Sequence, residues 1–554
     1  MTRDYTFLLY LLILCLGGVL SYGSLTNGWN YGDDFAGYIM QAKSLAEAAP
    51  RDFIEANRFT IEQSSDVIGP IAYPWGFPML LAPFYAVYGL DMIALKMVGV
   101  ISYLCFLVLL WFGFRRVHAH FWFLCLVSLF ALNPGLLAFS DEILSDLPFL
   151  LLSTLALVLI GALVVERRLL ISQFWDSVLV GAVIAAAFFV RTNGILLLGS
   201  LAFAQLFSYW QRQSQERPRN VEPERCVMSW RTFFSGGSVP VKSLPVHLMP
   251  YAVYVCLVTL WTLALPGGGD GHLSYLKNTS VTMIFKNLYY YAILPHEFFN
   301  DVPHNHLLYA ASVPLAVIGV IRRCHSDYHI IGYAVVTLLF YVIWPSRQGL
   351  RFMFPVLPFY ISFLLSGLEA VRGGGSVINR RLLSTLCALP VVLIIFCFGF
   401  QSALSVYDNL SLDRENSDSF TVTSRSLFSF IVEHTEQTST VIFFKPRLMR
   451  LMTDRKSIMI NRVEELSRGD YLCLYLRQGR FDQIPDVVIE ELLQKGTARL
   501  VYENSDFRAY RLVKNPDLPN LSRKPDADRV AGEEIFDRLT HKTFPHYTLS
   551  YRRE

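Results

Sequence analysis

Residues 5–20 read YTFLLYLLILCLGGVL, and residues 121–139 read FWFLCLVSLFALNPGLLAF. Neither stretch contains a charged side chain, and each is close to the roughly 20 helical residues that cross a bilayer core. A helix buried in a water-soluble protein rarely stays apolar on every face. Comparable runs recur along the chain, which is 53% hydrophobic and only 17% charged, against about 25% charged for an ordinary soluble domain. The reading is an α-helical polytopic membrane protein with about eleven spans. They are expected near 7–22, 92–113, 121–139, 147–165, 174–190, 194–210, 246–265, 307–321, 330–344, 352–368 and 383–400. Residues 76–90, GFPMLLAPFYAVYGL, carry two prolines and two glycines and read as an interfacial or re-entrant segment. The first run lacks a small-residue cleavage site behind it and continues into WNYGDDF, so it reads as a retained helix rather than a signal peptide.

Lys and Arg collect in alternate loops: Arg115 and Arg116; Arg167 and Arg168; Arg212, Arg217, Arg219, Arg225, Arg231 and Lys242; Arg322 and Arg323; Arg372, Arg380 and Arg381. By the positive-inside rule that face is cytoplasmic. The N-terminus is then inside and the C-terminal part outside. The net charge of +3 is spread through short loops, not a patch, and gives no case for a nucleic-acid partner. Of nine cysteines, only Cys473 falls on the outer side, so no outer disulfide framework forms within one chain. Cys226 and Cys324 fall in cytoplasmic loops and the rest in or beside spans.

The expected organisation is a transmembrane module over 1–400, an extracytoplasmic α/β domain over 401–515, and a polar tail over 516–554. Outer loops are expected at 23–91, 140–146, 266–306 and 345–351. In the C-terminal domain SLFSFIVEHT reads as an amphipathic helix, and STVIFFKP, YLCLYLR and ARLVYE as strands. No internal repeat is apparent.

Residues able to do chemistry cluster on the outer side. Asp33 and Asp34 directly follow the first span; a carboxylate there can serve as a general base or as the N-cap of the next helix. Asp141 and Glu142 sit in a short hairpin between spans, where they are either a solvated tip or oxygen ligands for a divalent cation such as Mg or Mn. Asp146, with Pro148 in the same first turn, reads as a helix cap. Arg347 and Arg351, four apart, are expected to share a helix face and suit a bidentate clamp on phosphate; the alternative is snorkelling to headgroups. Arg191 lies between two apolar stretches, at a depth where a charge is paired or functional. His296 and His304 are possible metal ligands, along with Glu297, Asp301 and His306, but in no recognisable site pattern.

Taken in order, GDDFAGYIMQAKSL, AYPWGFPMLLAPFYAVYG, SDEILSDLPFLLLSTLAL, RTNGILLL, GLRFMFPVLPFY and FFKPRLMRLMTDRKS resemble the GT-C superfamily of membrane glycosyltransferases. That group includes protein O-mannosyltransferases, lipid A aminoarabinose transferases and arabinosyltransferases, and the resemblance runs over residues 5–515. It implies a polyprenyl-phosphate-linked sugar donor, an extracytoplasmic glycan, lipid or protein acceptor, and inversion at the anomeric carbon. It places Asp33 or Asp34 at the catalytic acid, Asp141 and Glu142 at the second acidic motif, and Arg347 and Arg351, with Arg191, by the lipid phosphate. The middle loop holds no recognisable inserted binding domain of the protein-mannosyltransferase kind. An inner (plasma) membrane location follows. The competing reading, a transporter or flippase of lipid-linked sugars, calls for polar groups through the middle of several spans, whereas here they gather at one face.

Overall fold

The computed structural model describes residues 3–29, 31–66, 68–166, 174–216, 244–267, 279–373, 377–412, 419–476 and 481–513. The expected tail over 516–554, Arg167, Arg168, Arg217, Arg219, Arg225, Arg231, Lys242 and Cys226 lie outside the described residues, as do the side chains of Arg212, Arg380 and Arg381.

Every stretch expected to span is helical. The chain opens with α1 (Arg3–Gly23), followed by a long loop carrying α2 (Asp34–Ala46), α3 (Pro50–Gln63) and α4 (Gly76–Tyr88). Then come α5 (Met92–Phe114), α6 (His120–Ala131), α7 (Pro134–Ser140), α8 (Asp146–Ile160) with a π-helical extension over Gly161–Glu166, α9 (Phe174–Val190) and α10 (Leu196–Glu216). The bundle is completed by α11 (Leu244–Ala264), α12 (Val281–Ile293), α13 (Asn305–Arg323), α14 (Tyr328–Ile343), α15 (Leu357–Gly373) and α16 (Val377–Ser411). By length and composition six of the described helices can cross a membrane, or seven when α6 and α7, bent by 50° at their junction, count as one path. The break has a local cause: Pro134 opens α7, and the Asn133 side chain caps it by accepting from the Leu136 amide at 3.0 Å. α4 has 13 residues with Pro83 inside, a rise of about 20 Å, which is short of a full crossing.

α13 and α15 pack backbone to backbone. A Cβ on Gly319 would lie 1.9 Å from the Phe363 carbonyl oxygen, and one on Gly367 equally close to that of Leu315. Only glycine permits that approach, the usual device where lipid supplies no hydrophobic drive between helices.

The C-terminal part comprises α17 (Val422–His434), β1 (Thr440–Ile442), α18 (Pro446–Thr453), β2 (Lys456–Ile458), β3 (Tyr471–Tyr475), α19 (Asp486–Gln494), β4 (Ala498–Glu503) and β5 (Phe507–Leu512). The sheet order is β2-β1-β3-β5-β4, parallel across β2-β1-β3 and antiparallel across β3-β5-β4. The helix and strands expected from sequence are all present. β1–α18–β2 is a parallel crossover, so the start of α18 lies at the carboxyl end of β1, the usual edge for functional groups in α/β sheets. α16 continues as one helix through Ser411, 35 residues in all. Its rise of about 52 Å exceeds a bilayer core of roughly 30 Å and carries the chain beyond it. Residues 1–512 form one compact unit.

The loop after α1 is stitched into the C-terminal part. Ser419 donates through its backbone N–H and Oγ to the Trp29 carbonyl, at 3.2 and 2.7 Å. Tyr31 is buried against Phe444, Tyr475, Phe481 and Phe507, and its hydroxyl lies 2.7 Å from Ser424 Oγ. These aromatic edges fix the backbone just ahead of Asp33.

Candidate active site

Asp33 occupies the N-cap position of α2 and Asp34 is its first residue, yet the Asp33 side chain makes no cap hydrogen bond. The expected capping role is displaced because the acids face other partners. Tyr73 donates its hydroxyl to Asp34 Oδ1 at 2.6 Å. The same hydroxyl accepts from Arg447 Nη1 at 2.9 Å, and Arg447 Nη2 donates to the Pro70 carbonyl at 2.5 Å. Arg447 Nε lies 3.7 Å from Asp33 Oδ2, with the guanidinium wholly buried and the carboxylate 9% exposed. Burial pushes the Asp33 carboxyl above the usual range, while Arg447 and then Lys445 pull it back. Burial also pushes the Tyr73 phenol well up, so it stays a neutral donor.

The second acidic motif is built on the same plan. Asp141 forms an ion pair with Lys96 at 2.7 Å and accepts from the Thr26 backbone N–H at 2.6 Å and the Thr26 hydroxyl at 2.8 Å. Lys96 is fully buried and also donates to the carbonyls of Thr26 and Gly28, at 2.9 and 2.7 Å. Glu142 remains half-buried with its charge environment set by Asp141, Lys96, Arg351 and Asp146. Burial first, then Asp141, pushes its carboxyl up to about 8, against the pull of Lys96 and Arg351. Asp141 is therefore tied down, while Glu142 senses the charges of Lys96 and Arg351 without a direct ion pair among the described residues.

Asp146 is not the cap of α8; Ser145 holds that position, and Asp146 is the buried partner of Arg191 in a short ion pair. The Arg191 guanidinium lies over the rings of Phe149 and Phe352, 5.9 and 5.5 Å from their centroids. Tyr38 links the two acidic motifs: its ring is 4.4 Å from that of Tyr73, and its hydroxyl shares a 3.3 Å hydrogen bond with Ser145.

The two arginines expected on one helix face are not on a helix together. Gly349, at φ +67, turns the chain out of helical geometry, and Arg351 falls in a 3-10 turn over Gly349–Met353 before α15 begins at Leu357. Arg347 donates from Nε to Asn287 Oδ1 at 2.9 Å and covers the Tyr290 ring at 4.9 Å; Arg351 donates to Gln348. Both guanidinium groups remain half-buried. His296 stacks on His306 at 4.0 Å and its Nδ1 lies 2.8 Å from the Ile293 carbonyl oxygen, while His304 takes a left-handed conformation ahead of α13. Among the described residues no three His, Cys, Asp or Glu side chains converge as a metal set.

The structure thus links Asp33, Asp34, Tyr73 and Tyr38 to the Ser145–Asp146 turn and its partner Arg191, while Glu142 senses the charges of Asp141, Arg351 and Asp146. The structure of ArnT from Cupriavidus metallidurans in the apo state matches with a TM-score of 0.55 at 11% identity, covering 90% of this chain and 97% of that one. ArnT bound to undecaprenyl phosphate matches with a TM-score of 0.52 at 11% identity, over 92% and 98%. The fold is that of ArnT. By sequence, no family model and no curated protein matches the chain, so the likeness is one of structure.

Within this fold, three groups that organise the acids escape a reading of the sequence. Arg447 comes from α18, more than 370 positions from Tyr73, and its only local signal is the basic run FFKPRLMR at a strand end. Tyr73 lies in the AYPWGFP segment of the resemblance, but nothing in that segment marks it as the partner of Asp34. Lys96 does carry one, as the single charge inside the apolar run of α5.

Proposed function

We propose that the protein transfers a sugar from a polyprenyl-phosphate donor to an extracytoplasmic acceptor, with inversion, and that Asp34 is the general base. The observation that carries this reading is the half-buried Asp34 carboxylate, held by the Tyr73 hydroxyl on Oδ1, in a fold like that of ArnT. The match to ArnT bound to undecaprenyl phosphate supports the donor class. The proposed arrangement is a multi-pass inner-membrane protein with a cytoplasmic N-terminus and this end of the bundle outside.

Asp34 is preferred to Asp33 on access. Asp33 is enclosed beside Arg447, whereas Asp34 is half-buried and held by Tyr73 on Oδ1, leaving Oδ2 for the acceptor hydroxyl. As that hydroxyl attacks the anomeric carbon, its proton passes to Asp34 and the bond from carbon to phosphate oxygen breaks. The phosphate leaves without protonation and needs only its charge stabilised, which falls to Arg351 and Arg347. A glycosidase would call instead for two carboxylates flanking the bond.

The test uses full-length protein in nanodiscs with a panel of undecaprenyl-phosphate-linked pentoses and hexoses, with and without added Mg or Mn. Release of undecaprenyl phosphate, lost in Asp34→Asn, supports the transferase. Undiminished turnover in Asp34→Asn rejects the base assignment.

A further inference from the structure

Arg447 is buried in the C-terminal α/β part, yet three of its nitrogens address the loop after α1. Nη1 meets the Tyr73 hydroxyl at 2.9 Å, Nη2 the Pro70 carbonyl at 2.5 Å, and Nε faces Asp33 Oδ2 at 3.7 Å. Its charge also sits 5.4 Å from the centre of the Tyr73 ring. Burying a guanidinium is costly unless its partners are arranged for it, and here the partners are the acid pair and the tyrosine that holds Asp34. The fit is close on the α2 side: a Cβ on Gly37 would lie 2.9 Å from the Tyr73 ring. Tyr73 therefore cannot swing toward α2, and its hydroxyl is confined between one guanidinium and one carboxylate.

We infer that Arg447 is a positioning residue through which the C-terminal domain holds Tyr73 and the acid pair in the geometry and charge state needed for transfer. This rests on the proposed transferase reading. Arg447 touches no reacting atom; it acts by fixing the donor hydrogen of Tyr73 toward Asp34 and by favouring ionised carboxylates. The groups facing the acid pair are Tyr38 on α2, Tyr73 ahead of α4, and Lys445 and Arg447 from the C-terminal domain. Arg447 and Lys445 are the cations among those that act on Asp33. Docking of the C-terminal domain and competence of the acid pair are then one event: a chain whose α18 is displaced loses its oriented base although no acid has moved in sequence.

The experiment measures kcat, KM and their pH dependence for Arg447→Gln, Arg447→Lys and Tyr73→Phe in nanodiscs, using whichever undecaprenyl-phosphate-linked sugar the unaltered protein turns over. A parallel readout needs no donor: carbodiimide labelling of the Asp33–Asp34 peptide across pH, which follows protonated carboxyl groups. In Arg447→Gln, kcat falls about tenfold or more with KM within about twofold. The acid limb of the profile and the labelling midpoint both move up by about one pH unit, because a cation that favoured the ionised pair is gone. Arg447→Lys recovers part of both shifts. Tyr73→Phe, which removes a single oxygen, lowers kcat with no comparable movement of the labelling midpoint. Unchanged kcat, profile and labelling in Arg447→Gln overturn the inference, as does a loss that merely follows the amount of folded protein while the profile stays fixed. If the unaltered protein turns over no donor but its labelling midpoint still depends on Arg447, the transferase reading fails and the coupling stands.

Discussion

The two acidic motifs are built alike and from opposite directions. In each, one acid lies against a fully buried cation and the next is left half-open: Asp33 beside Arg447 and then Asp34, Asp141 beside Lys96 and then Glu142. The source of the cation differs. Lys96 belongs to α5 and ties the loop after α1 to the transmembrane bundle, whereas Arg447 belongs to α18 and ties that loop to the C-terminal sheet. One loop is thereby pinned from below and from above, each time through an acid whose neighbour stays available. The contact distances differ as well. Lys96 meets its acid at 2.7 Å inside a shell of carbonyls, which makes a structural tie. Arg447 stands 3.7 Å from Asp33 and is linked to Asp34 through the Tyr73 hydroxyl, which makes an indirect one.

The sharpest way to break the comparison is within the first pair. Asp34→Asn removes the proposed base and is expected to lower kcat about 10²–10⁴-fold with the protein still folded. Asp33→Asn leaves Arg447 with a weaker counter-charge and is expected to act mainly on thermal stability, with much of the turnover retained. Kinetics and thermal unfolding on the same two preparations decide it: equal kinetic losses would mean that the pair acts as a unit and that open and enclosed acids are not distinct.

Next in size is the second pair. Lys96→Met strands Asp141 in a buried site and should cost about 3–5 kcal/mol of stability, as removal of one partner from a buried pair does. The double change Lys96→Met with Asp141→Leu removes both charges and should recover most of it. Recovery measured by thermal unfolding in nanodiscs would mark the pair as structural; a stable double variant that has lost all turnover would instead give Asp141 or Lys96 a part in the reaction.

A smaller effect separates the two arginines. Arg351 donates to the neighbouring Gln348, whereas Arg347 is committed to Asn287 and the Tyr290 ring. Arg351→Ala is expected to weaken binding of undecaprenyl phosphate about tenfold, and Arg347→Ala less. The reverse order, seen by titration in nanodiscs, would move the phosphate site toward α12.

These contrasts show what a sequence can and cannot disclose here. The apolar stretches became helices because a bilayer leaves backbone polar groups no other partner, although by length and composition six of the described helices, or seven with the bent pair, can cross where eleven spans were expected. The acidic motifs were also visible, since charge beside a membrane face stands out. The pairing of their first members with buried cations was not, because those cations arrive from elsewhere in the chain: Lys96 from 45 positions away and Arg447 from 374 positions beyond Tyr73. Arg191, read as paired or functional, pairs with Asp146, and Ser145 stands at the head of α8. The failure over Arg347 and Arg351 was local. A four-residue spacing implies a shared face only where the backbone is helical, and Gly349 sits between them at positive φ.

The finest test of the comparison concerns the open acid of the second pair. Burial and the charge of Asp141 push Glu142 up to about 8, well above the roughly 4.3 of a free glutamate. Below that point the side chain is neutral and leaves Arg351 free for a phosphate; above it, the carboxylate competes for Arg351 and repels the incoming anion. Binding of undecaprenyl phosphate should therefore weaken about two- to threefold as pH rises through about 8, and Glu142→Gln should remove that step. Linkage has the same sign. A carboxyl whose folded value exceeds its unfolded one favours the fold while protonated, so stability declines as pH rises from about 4.3 toward 8. The Gln variant lacks that slope and should be the more thermostable form at pH 8.5. A pH-independent difference between the two proteins would mean that Glu142 is ionised throughout, and the second pair would then hold two charged acids where the first holds one enclosed and one open.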